Sequence, residues 1–204
     1  MSTRKAPARR ATPKKPKPEP TTLRLDVACG QRLEDGWTGI DLYAEGENII
    51  TWDLFSFPWP VDDGEAAEVR CSHFVEHIPH WLPGIDRDVW WAFFDELWRI
   101  MAPGAQATIT HPYGRSDRAW WDPTHERAIV PDTWNYVNRA WRESQGLDHY
   151  PVACDFTVVT VAGTGVHGGL VSRNDDFQAH AREFYANVFA DLVVVLEKPV
   201  PPSA

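Results

Sequence analysis

Cysteine and methionine are scarce in this chain, at three and two residues among 204. Cys29, Cys71 and Cys154 are odd in number and widely spaced, and two of them lie in apolar strand contexts. That pattern points to buried reduced thiols rather than a disulfide framework. No apolar run approaches membrane-spanning length, and no hydrophobic stretch follows the basic N-terminus, so neither a membrane association nor a secretory signal is expected. These absences predict a cytoplasmic protein. The G-x-G-x-x-G pattern is missing as well, which leaves a dinucleotide-binding reading poorly supported.

What is present is enough apolar residue, 43%, to build one core. The net charge of −9 hides an asymmetry. Arg4, Lys5, Arg9, Arg10, Lys14, Lys15 and Lys17 against Glu19 give the first twenty residues about +6, leaving about −15 for the remainder. Five prolines interrupt the same stretch, and it has almost nothing large and apolar to bury, so residues 1–22 read as a disordered basic arm. The expected globular domain covers 23–198, with 199–204 as a disordered end. A basic arm can tether a protein to nucleic acid or act as a solubilising extension, while the acidic body argues against extended phosphate contacts on the folded surface.

Within the domain, the stretch LRLDVACGQRLEDGWTGIDLY from Leu23 to Tyr43 carries the most information. Leu23, Leu25 and Val27 alternate with Arg24 and Asp26, and the run breaks at Ala28-Cys29-Gly30, where glycine lets backbone approach a ligand. A second short run ends on Asp41. In an open α/β sheet, a carboxylate at a strand end faces the ligand crevice and can accept hydrogen bonds from ribose hydroxyls. Only ten residues separate Gly30 from Asp41, too few for a helix plus loop, so a short turn replaces the first crossover.

Further strands are expected near 48–52, 67–72 and 106–111, and again from Phe156 to Val161 and Leu192 to Leu196. Val89, Phe93, Leu97 and Ile100 recur at spacings of three and four, which predicts a helix near 86–101 ending before Pro103-Gly104. A second helix is expected from Asp175 to Val188, after a glycine-rich loop from Gly163 to Gly169. Residues 114–150 break the sheet pattern and concentrate Trp120, Trp121, Trp134, Tyr136 and Trp141, the reading of an aromatic cap inserted after the fifth strand.

Four segments in register carry a family resemblance. Asp26-Val27-Ala28-Cys29-Gly30 resembles the first motif of class I S-adenosylmethionine-dependent methyltransferases. Asp53-Leu54 with Phe57-Pro58-Trp59-Pro60 resembles the third-strand acid and loop. The run from Cys71 to Ile78 resembles the fourth-strand motif of the small type 11 branch, and Phe93 to Gly104 resembles that branch's helix and turn. Ala28 stands where the family usually has its first glycine. The resemblance implies an α/β fold, a Rossmann-like mostly parallel sheet with helices on both faces, and S-adenosylmethionine as cofactor. It implies cofactor contacts from Asp26, Ala28, Gly30, Asp41, Leu42, Asp53, Leu54, Ser72 and His73.

His125 is the expected general base with His111 second, because each offers an imidazole near where an acceptor would enter. Trp120, Trp121 and Tyr113 are the expected acceptor contacts. His73-x-x-Glu76-His77 also spells the H-x-x-E-H pattern of inverted zinc peptidases, but Pro79 leaves too little helix for it, and no metal is expected. Three functions follow: methyl transfer to an oxygen or nitrogen of a small or medium acceptor, modification of nucleic acid or protein guided by the basic arm, or cofactor binding without catalysis.

Overall fold

The structure is a computed structural model that describes residues 22–165 and 174–202. Residues 1–21 of the expected basic arm and residues 166–169 of the glycine-rich loop lie outside the described residues, as do 203–204. The apolar runs become strands β1 (Leu23–Val27), β2 (Thr38–Asp41), β3 (Ile49–Thr51), β4 (Ala66–Ser72) and β5 (Met101–Pro112). Strands β6 (Thr157–Thr164) and β7 (Asp191–Glu197) complete one seven-stranded sheet in the order β3-β2-β1-β4-β5-β7-β6. The first five pair in parallel, and β7 runs antiparallel to both β5 and β6. The chain steps outward from β1 to β3 and then returns to place β4 on the other side of β1, so the order reverses beside β1. That reversal opens a crevice beyond the carboxyl ends of β1 and β4.

The first crossover is short, as the spacing predicted. Gly30 and Gly36 turn it with φ of 56° and 80°, values that cost glycine little. Arg70 on β4 clamps it. Its guanidinium bonds Asp26 on β1 at 2.7 Å and Glu34 in the connection at 2.8 Å, and lies 4.4 Å from the centre of the Trp37 ring. No α-helix occupies the connections from β1 to β2, β2 to β3 or β3 to β4.

Helix α1 (Val89–Ile100) forms where the three-and-four spacing predicted. The Asp88 carboxylate accepts from Trp90 N at 2.8 Å, which caps the first turn, and Val89, Phe93, Leu97 and Ile100 are all buried. The helix passes directly into β5 at Met101, with the Pro103-Gly104 turn surviving as an irregularity: Ala66 pairs with Met101 but Glu68 with Gln106. Helix α2 (Arg139–Ser144) and helix α3 (Asp175–Phe184) follow. The last helix stops four residues short of the expected Val188, because Tyr185 is extended and Asn187 takes a φ of 56°.

The segment 114–150 is partly core. Trp134 is fully buried, its ring 5.7 Å from Trp90 and 5.6 Å from Phe94 on α1. Burying a ring of that size contributes roughly 4–6 kcal/mol before entropy. Just beyond β5 the segment folds back on itself at Gly114, whose N–H donates to Ile129 O at 2.8 Å. A Cβ at Gly114 would meet that same oxygen at 2.8 Å, so the close approach requires glycine. Among the described residues, no helix is long and apolar enough to cross a membrane.

Candidate functional site

At the end of β1 the backbone turns through Ala28, whose φ of 59° is a left-handed conformation that Cβ disfavours. Ala28 N donates to Ile40 O at 2.9 Å, tying this turn to β2. Asp41 then closes the arrangement. Its Oδ2 accepts from Gly30 N at 3.0 Å and its Oδ1 from Tyr43 N at 2.7 Å, so one carboxylate holds the exits of both strands. Each oxygen retains a lone pair for a further donor. After β3, Asp53 builds a turn of its own, accepting from Phe55 N at 2.9 Å and Ser56 Oγ at 3.3 Å.

These turns frame a cleft of about 580 Å³ lined by Ala28, Asp41, Leu42, Tyr43, Asp53, Leu54, Phe55, His73, Phe74 and His77. Six of the nine expected cofactor residues are therefore on its wall. Gly30 takes part through its N–H to Asp41. Asp26 and Ser72 are not on that wall: they open on a neighbouring hollow of about 380 Å³ that shares Ala28 and includes Cys29, Arg70 and Thr110. Asp26 is 5% exposed and paired with Arg70, whose pKa it raises chiefly by hydrogen bonding. Burial, then the charge of Asp26, pushes the Cys29 thiol up to about 11, so it stays protonated at neutral pH.

The expected bases are placed differently from one another. His111 is fully buried in β5, a correction to its expected role. Its Nδ1 lies 2.8 Å from Pro112 O and so carries the proton, while Nε2 accepts from Trp134 Nε1 at 3.2 Å. Burial lowers its pKa to about 4, and both nitrogens are engaged within the core, so it has no access to an acceptor. His125 is not on the cleft wall but packs behind His77, ring centres 4.7 Å apart. His73 does line the cleft, with a φ of 53° and its N–H on Thr110 O at 2.8 Å. Its Nδ1 is 3.4 Å from Glu76 Oε1, a loose contact that nevertheless raises the His73 pKa against the effect of partial burial.

The expected acceptor contacts are off the cleft too. Trp120 and Trp121 are 70% and 69% exposed and do not reach it. Tyr113 is buried against Phe189 at 5.7 Å. The H-x-x-E-H segment is a single 3-10 turn, Val75–His77, following His73 in left-handed backbone, so its two histidines share no helix face. The structure instead brings Glu76 and His77 to His125, with one donor atom from each lying within 4.8 Å of the others.

No protein-family model matches the sequence, and no curated protein matches it significantly. Solved structures do. One is a SAM-dependent methyltransferase from Archaeoglobus fulgidus, with a TM-score of 0.58 and 18% identity over 87% of this chain and 86% of that one. Another is a chain of the complex between the Haloferax volcanii Trm112 methyltransferase activator and a protein provisionally assigned as a methyltransferase, at a TM-score of 0.50 and 12% identity over 90% and 84%. The strand order and the antiparallel β7 agree with that likeness. The chain has the class I methyltransferase fold. In this methyltransferase fold the cleft wall also holds Tyr43, Phe55 and Phe74, which the sequence did not single out for the site, and His77, which it read within the H-x-x-E-H pattern. Tyr43 directly follows the Asp41-Leu42 strand end, and Phe74 and His77 lie within the fourth-strand motif, so adjacency to recognised motifs was the signal available.

Proposed function

We propose that the chain is an S-adenosylmethionine-dependent methyltransferase that moves a methyl group to an oxygen or nitrogen of a small or medium acceptor. One observation supports this above others: the cleft lies at the reversal of strand order, and the half-buried Asp41 carboxylate on its wall has unused acceptor capacity. A volume of about 580 Å³ suits a ligand of nucleoside size. When bound, S-adenosylmethionine supplies a methyl group already activated on a sulfonium, so the protein's task is chiefly orientation.

In this reading Asp41 accepts from the ribose hydroxyls, and Leu42, Tyr43 and Phe55 provide apolar walls for the base. Asp53 shapes the turn beneath Phe55, and, as in Asp41, each of its oxygens takes one donor there and keeps a lone pair for the ligand. Asp26 acts through Arg70, holding the short crossover that carries Gly30 to Asp41. Ala28 narrows the cleft by one methyl group where both hollows meet. His73, an imidazole on the cleft wall, replaces His111 and His125 as the candidate to receive an acceptor proton. Calorimetry with S-adenosylmethionine and with its demethylated product should show one site per chain. Mass spectrometry of a metabolite extract incubated with the protein and isotopically labelled cofactor should then reveal a methyl shift. Absence of binding to either compound refutes the reading.

A further inference from the structure

Glu76 is 2% exposed, yet neither carboxylate oxygen has a hydrogen-bond partner among the described residues. Its one ion-pair contact there is His73 Nδ1 at 3.4 Å, too loose to serve as a full partner. A buried, unsatisfied carboxylate is costly enough to need an explanation. His77 and His125 stand beside it, one donor atom of each within 4.8 Å of the carboxylate and of one another.

Both rings are held in the same tautomer. His77 Nδ1 lies 3.2 Å from the Thr124 carbonyl, and His125 Nδ1 lies 3.1 Å from the Ala119 carbonyl. A carbonyl only accepts, so each Nδ1 carries the proton and each Nε2 presents a lone pair. Thr124 Oγ1 lies 3.1 Å from His77 Nδ1 and donates to Asp122 Oδ1 at 2.7 Å, which fixes that hydroxyl as a second acceptor for the ring. This is the arrangement in which a backbone carbonyl orients a metal-bound imidazole. The two segments are also joined by backbone: Glu126 N and Arg127 N both donate to Glu76 O, at 2.8 and 3.1 Å.

We propose that Glu76, His77 and His125 bind a first-row divalent cation of the zinc type. Two imidazoles and one carboxylate form a three-ligand set with a fourth position open to water or an acceptor atom. Bonds of about 2.0–2.1 Å in a tetrahedral site would bring the donors to about 3.4 Å apart, a small contraction for side chains already within 4.8 Å. Because His77 also lines the cleft, a cation held here adjoins it. The site stands on its own geometry and does not depend on the methyl-transfer reading.

The test uses tag-free, full-length chain stripped with a chelator. It is titrated with zinc by calorimetry and with cobalt by visible absorption. One ion per chain is expected, with zinc raising the thermal midpoint of the parent. Glu76→Gln and His125→Ala should each weaken zinc binding tenfold or more and lose the thermal shift, while Cys29→Ser should leave both unchanged. Circular dichroism establishes that each variant is folded, and Glu76→Gln, which keeps the buried side chain's shape, covers the case in which His125→Ala does not fold. Failure of the parent to bind, affinity unchanged in both ligand variants, or a cobalt spectrum with thiolate charge transfer overturns the proposal.

Discussion

Replacing Asp41 by Asn tests the hinge of the candidate site, because the two side chains share a shape but not a bonding capacity. In the parent each carboxylate oxygen takes one backbone N–H, from Gly30 at 3.0 Å and from Tyr43 at 2.7 Å. The amide keeps one acceptor oxygen and places an NH2 group against the second N–H. Hydrogen bonds to charged groups contribute about 1.5–3 kcal/mol each, and partial solvent exposure at this half-buried site reduces that, so a loss of about 1–2 kcal/mol is expected. With a urea slope of about 2 kcal/mol/M, the midpoint should fall by about 0.5–1 M. Cofactor affinity, read by calorimetry well below that midpoint, should fall about tenfold to a hundredfold as the charge-assisted ribose contact is lost. The two measurements separate the two roles. An unchanged midpoint refutes the structural role of the carboxylate, and unchanged affinity in the folded variant removes Asp41 from the cofactor site.

Ala28→Gly should be neutral or stabilising, against the usual cost of such a change. Relief of the left-handed strain at φ 59° contributes about 1–2 kcal/mol, and the greater freedom of the unfolded chain costs about 0.4–1 kcal/mol, so a gain of up to about 1.6 kcal/mol is expected in urea unfolding. A loss of about 0.5 kcal/mol or more would contradict the strain argument. His111 makes stability fall in mild acid. Burial holds its folded pKa near 4, below the unfolded value of about 6.5, so the unfolded chain takes up the proton first as pH falls through 6.5. Between pH 7 and pH 5 this contributes about 2 kcal/mol of lost stability, which His111→Gln should remove from the pH profile. A variant profile as steep as the parent's would show that other groups carry the acid sensitivity.

Much of the framework was legible because it depends on near neighbours in sequence. Alternation from Leu23 to Val27, the break at Gly30 and the acid at Asp41 specify strand, turn and strand end within twenty residues, and the structure keeps all three. The spacing from Val89 to Ile100 with Asp88 before it specifies a capped helix by the same local logic. The shortened crossover followed from counting residues. Pro79 was rightly read as leaving no helix for H-x-x-E-H, since periodicity and proline act over a few residues.

What only the tertiary structure decided is which distant groups share space. Asp26 reads as a ligand contact in its motif, but Arg70, 44 residues later, takes its carboxylate. His111 and His125 look alike as imidazoles beside polar residues. One is sealed in the core beneath Trp134, and the other is carried back to Glu76 by two backbone hydrogen bonds. The tryptophans divide in the same way, Trp134 buried and Trp120 and Trp121 exposed, although all three lie in one stretch of similar composition. Local sequence determines hydrogen-bonding geometry and hydrophobic period. Burial and charge partners depend on the order of strands in the sheet, and that order arises from packing between segments that no short pattern connects.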